Sequence, residues 1–127
     1  MNSSLKFLMF ELLDADEHSH TWEAMASVAP QRVPTVLADV MRVLAWAQGQ
    51  LGTDPQSLDD GGDWDVLLQI QADQHAPHTL AWHPTTGCAT PPALPPGTQW
   101  VAVTLTLVAS AALADAVQQQ LDAFNAA

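Results

Sequence analysis

Two stretches of the chain alternate between apolar and polar residues, and they constrain the fold more than any other feature. In residues 64–73, WDVLLQIQAD, the residues Trp64, Val66, Leu68, Ile70 and Ala72 fall on one side. Asp65, Gln69, Gln71 and Asp73 fall on the other, and Leu67 is the apolar exception. In residues 100–108, WVAVTLTLV, Val101, Val103, Leu105 and Leu107 oppose Thr104 and Thr106. A period of two is strand geometry, because successive side chains point to opposite faces. Strands apolar on one side only build an antiparallel sheet with one packed face and one free face.

The remaining segments fit around such a sheet. Residues 5–14, LKFLMFELLD, are apolar on both sides, so helix and strand compete, and the aromatic content and the polar turn DADEHSH after them favour a strand. Residues 21–28 alternate, with Trp22, Ala24, Ala26 and Val28 on one side, and read as a strand that completes a hairpin with the first, against a rival short helix offered by the good helix formers Glu23, Ala24 and Met25. The best helix is 34–51. Pro34 suits its first turn, Val36, Leu37, Val40, Met41, Leu44, Ala47 and Leu51 recur at three- and four-residue steps, and Gly52 ends it. Residues 53–63 are a loop, and HTLAWH after the turn QHAP is the return strand of a second hairpin. Residues 84–99 hold five prolines and two glycines and are expected to be irregular. Ser110 is placed to cap a final helix, with Asp115 near its positive end and Leu113, Val117, Leu121 and Phe124 as its buried stripe. The expected order is ββαβββα: one α+β domain spanning 1–127, an antiparallel sheet of five strands with two helices on one face. Its other face is expected to be wet or to pack against a second copy, making a homodimer.

Charge narrows the function. Lys6, Arg32 and Arg42 stand against fourteen acidic residues, a formal net charge of −11. Three cations cannot neutralise a phosphate track, so nucleic acid and anionic membrane are excluded as partners, and phosphate-handling chemistry is disfavoured. No stretch approaches the ~20 apolar residues of a membrane span. The apolar run from Phe7 stops at Glu11, too short for an export signal. One cysteine, Cys88, fits a reducing compartment, so the expectation is a cytoplasmic protein. Abundant alanine, no tyrosine and a single lysine match a GC-rich bacterial coding bias.

Three constellations have chemical potential, each with an ordinary reading beside it. His18 and His20 lie in the first hairpin turn, His75 and His78 in the second, and His83 just beyond. If both turns met at one sheet edge, imidazoles with Asp14, Asp16 or Glu17 would suit zinc, nickel or copper. H-S-H and H-A-P-H are not structural-zinc spacings, and histidine is an unremarkable turn residue. Residues 54–65, DPQSLDDGGDWD, gather five carboxylates but lack the calcium-loop order, and so read as a solvated acidic loop. Cys88 has His83 nearby but no positive field to make a thiolate, and reads as a loop thiol. No nucleophile elbow, phosphate loop or dinucleotide fingerprint occurs, and no cofactor is expected. Trp82 and Trp100 lie at strand ends, where a tryptophan can anchor a partner.

The profile of a short, acidic, single domain without catalytic motifs is shared by antitoxin and toxin-immunity proteins and by chaperones of secreted effectors. Residues 100–124, WVAVTLTLVASAALADAVQQQLDAF, strand then amphipathic helix, resemble the end of type III secretion chaperones. That family usually opens with a helix, whereas this chain opens with a hairpin, so no family is assigned. The leading expectation is a non-enzymatic module that binds a basic protein through Asp14, Asp16, Glu17, Asp59, Asp60, Asp63, Trp82 and Trp100. The alternatives are a dimeric small-molecule or metal-binding module using the histidine turns, and an enzyme, which has no motif behind it.

Overall fold

The computed structural model describes residues 5–51, 55–83, 87–88 and 93–125. Its elements are strands β1 (Phe10–Ala15) and β2 (Ser19–Val28), helix α1 (Val33–Leu51), strands β3 (Trp64–Ala72), β4 (His78–Thr79), β5 (Trp82–His83), β6 (Gly87–Cys88) and β7 (Val101–Ser110), and helix α2 (Ala111–Asn125). Short 3-10 turns at Pro30–Arg32 and Leu58–Asp60 flank α1 and β3.

The main sheet has five antiparallel strands in the order β1-β2-β7-β3-β4. Strand β7 is its centre. It pairs with β2 from Ser19↔Ser110 to Val28↔Val101, and with β3 from Trp64↔Ala109 to Ala72↔Val101. This is the expected α+β architecture, and the strand faces fall as the alternation requires. Trp22, Trp64, Leu68, Ile70, Val103, Leu105 and Leu107 are buried on the inner face, in one cluster with Val36, Val40, Val43, Leu44 and Ala47 of α1 and Ala114, Val117, Leu121 and Phe124 of α2. Both helices therefore cover the inner face. They meet where the Trp46 ring sits edge-on to Phe124, centroids 6.4 Å apart. None of the described helices is long and apolar enough to cross a membrane.

Four local expectations are corrected. The first strand begins at Phe10, because residues 6–8 leave the ladder to bond to Asp39 on α1. Lys6 and Phe7 donate their backbone N–H groups to Asp39 at 3.0 and 2.7 Å, and Leu8 donates at 3.2 Å. Asp39 is 2% exposed, so these bonds satisfy a carboxylate buried in an otherwise apolar helix face. The second hairpin is split: β4 pairs with β3 only at Gln69↔Thr79 and Ile70↔His78, while β5 turns away to pair with β6. The proline-rich stretch thus contains one short strand after all, at Gly87–Cys88. Finally, Asp115 lies beyond the first turn of α2, too far in to benefit much from the dipole.

Candidate functional site

The antiparallel register sorts the predicted site residues to opposite ends of the sheet. The β1–β2 turn lies where β7 ends, and the loop before β3 lies at that same end. Two consecutive amides at the β7–α2 junction hold them together. Ser110 N–H donates to the Asp63 carbonyl at 2.8 Å, and Ala111 N–H to the His18 carbonyl at 2.9 Å. Asp14, Asp16, Glu17, Asp59, Asp60 and Asp63 are all exposed around this junction. A cleft of about 250 Å³ opens between the two turns, lined by Ser19, Ser57, Leu58, Asp59, Asp65 and Val108.

Each turn has a local reason for its shape. The Asp16 carboxylate accepts from the backbone N–H groups of His18 at 2.7 Å and Ser19 at 2.9 Å. The bonds from Ser19 and then His18 hold its carboxyl below the ordinary aspartate value of 3.8. His18 Nε2 lies 3.4 Å from a Glu17 carboxylate oxygen, a surface contact worth little. In the second loop Gly61 has φ +91, and Gly62 passes so close to the Gln56 carbonyl that a Cβ there would collide with it. These glycines let the chain fold tightly enough to present Asp59, Asp60 and Asp63 outward.

The outer sheet face connects this acidic end to the rest of the molecule. Cross-strand pairing aligns Asp14, Thr21, Val108 and Asp65 in one row, and Glu11, Glu23, Thr106 and Leu67 in the next. Met25, Thr104, Gln69 and Thr79 form a third row. No described helix covers this face, and Met25 stays 60% exposed. Glu11 and Glu23 stand directly opposite each other, an arrangement that destabilises a sheet in the absence of a counter-charge. No Lys or Arg lies on any of these rows. Sequence alternation located this face but missed the pairing of Glu11 with Glu23, which needs the register.

Trp100 stands at the far end, 56% exposed. Asp73, at φ 42, accepts from the N–H groups of Gln99 and Trp100, and its own N–H donates to the Trp100 carbonyl. This clamp joins the end of β3 to the start of β7. A shallow cleft of about 600 Å³ beside it is lined by Ser27, Asp73, Gln74, His75, Gly97, Gln99 and Trp100. Trp82 is not beside Trp100. Its ring is half-buried edge-on to Trp64, centroids 6.2 Å apart, with Nε1 in the interior.

The two histidine turns do not converge. His18 and His20 lie at the acidic end, His75 and His78 at the Trp100 end, separated by the length of β7, roughly 30 Å at strand rise. His20 stacks on Trp22, and His75 Nδ1 is 3.1 Å from the Ala72 carbonyl. Among the described residues no group of three or more His, Cys, Asp or Glu side chains is arranged to hold a metal ion. Asp54 and the side chains of His83 and Cys88 lie outside the described residues. No protein-family model, curated protein or solved structure matches the chain.

Proposed function

We propose that the protein is a non-enzymatic binding module of the cytoplasm that recognises a basic protein partner, in the manner of an immunity protein or an effector chaperone. The observation that supports this most directly is the like-charge pair Glu11–Glu23 on a sheet face with no cation of its own. A cationic side chain from outside turns that repulsion into attraction. Asp14 and Asp65 on the same face, and the acidic turns beyond it, extend the negative field and speed association with a positive partner. Met25 and Leu67 supply apolar area beside the charges, so the partner presents basic and apolar residues together. The acidic turns contribute Asp59, Asp60 and Asp63 as steering charge at the rim.

The test begins with the tagged protein as bait at low ionic strength and mass spectrometry to name what it holds. The affinity of that partner is then measured for the wild type and for Glu11→Gln with Glu23→Gln. A basic protein released by salt, bound at least about tenfold more weakly by the double variant, is the expected result. An affinity unchanged by the double substitution sinks the reading.

A further inference from the structure

The edge strand β1 is closed at one point by a side chain that behaves as a piece of missing strand. Phe10 N–H donates to Asn125 Oδ1 at 2.8 Å, and Asn125 Nδ2 donates to the Phe10 carbonyl at 2.9 Å. Both backbone groups of Phe10 therefore point away from β2, and the carboxamide takes the place of a peptide group on a neighbouring strand. Backbone direction alternates along an antiparallel ladder, so Leu12, two residues on and still in register with Trp22, also turns its N–H and C=O outward. No described strand lies beyond β1, and Leu12 is 49% exposed. The register shift between Leu12 and Asp14 bends the strand just past this point.

Resting on the reading of a basic partner, we infer that β1 receives that partner by strand addition, as an extended segment of alternating basic and apolar residues. An added strand continues the alternation of the sheet. Its residues on the outer face come beside Glu11 and Asp14, where a cation is favoured, and those on the inner face come beside Leu12, where an apolar residue is favoured. A second copy of this chain is a poor occupant. Pairing β1 with itself sets Glu11 and Asp14 near their own counterparts, between molecules of charge −11. Asn125 marks where the added strand stops, and Leu12 supplies a pair of hydrogen bonds to it.

Two probe peptides of the length of β1 distinguish this from plain charge attraction. One alternates lysine and valine, and the other holds the same residues as a lysine block followed by a valine block. Fluorescence anisotropy should show the alternating probe binding at least about tenfold more tightly. Leu12→Pro, tolerated where the lost N–H faces outward, should abolish that preference. In the unmodified protein, the Leu12 amide should exchange more slowly when the alternating probe is added. Equal binding of both probes, or a Leu12 amide that exchanges as before, overturns strand addition and leaves the basic-partner reading standing. Binding of neither probe overturns both. Self-association that Leu12→Pro abolishes overturns the inference in favour of a second copy.

Discussion

Asp39 and Asp73 are both aspartates in places where an apolar or small residue looks natural, and both act on backbone rather than on side chains. Asp39 draws three consecutive amides of the segment before β1 onto α1. Asp73 joins two strand ends in a left-handed conformation that aspartate tolerates better than most residues. Hydrogen bonds to a charged acceptor are worth about 1.5–3 kcal/mol each, and loss of Asp39 leaves the buried Leu8 N–H unpaired. Asp39→Ala should therefore lower unfolding stability by about 3 kcal/mol or more, read as a shifted urea midpoint with an unchanged slope. Neither role is visible in the sequence. Asp39 stands on the apolar face of a good helix, and nothing local says that residues 6–8 arrive there from outside.

At the scale of elements, one-sided alternation was the legible signal. It located β2, β3 and β7 and the buried faces of Trp22 and Trp64 within a residue or two, because burial on one face imposes a period that no other constraint disturbs. It failed where partners outside the element decide. The start of β1 depends on Asp39, and the division of the second hairpin depends on β6 drawing β5 away. Which turns share an end of the sheet depends on β7 lying between β2 and β3, and this separates the histidine turns while bringing the acidic ones together. The first turn carries its own pH dependence. Asp16 has a carboxyl lowered by the Ser19 and His18 amides. Its stabilising effect is complete above the ordinary aspartate value and is lost as pH falls through the lowered one. An acid titration followed by NMR should move the His18 and Ser19 amide signals together below pH 3.8.

The molecule as a whole is held together against its own charge. With −11 spread over one small domain, like charges repel in every compact state, and the carboxylates at the acidic end and on the outer face concentrate the effect. Screening relieves it, since the Debye length falls to roughly 10 Å at 0.1 M salt and 3 Å at 1 M. The melting temperature should rise steadily between these salt concentrations, and a fall would show that attractive pairs outweigh the repulsion. The sheet order has another outcome, felt during synthesis. The strand at the middle, β7, leaves the ribosome after the other strands of its sheet, and until it emerges β2 and β3 each lack the neighbour that joins them. Half of this protein is not half of a fold. The nascent chain carries β2 and β3 unjoined until β7 emerges, and the sheet then closes around the last of its strands to be made.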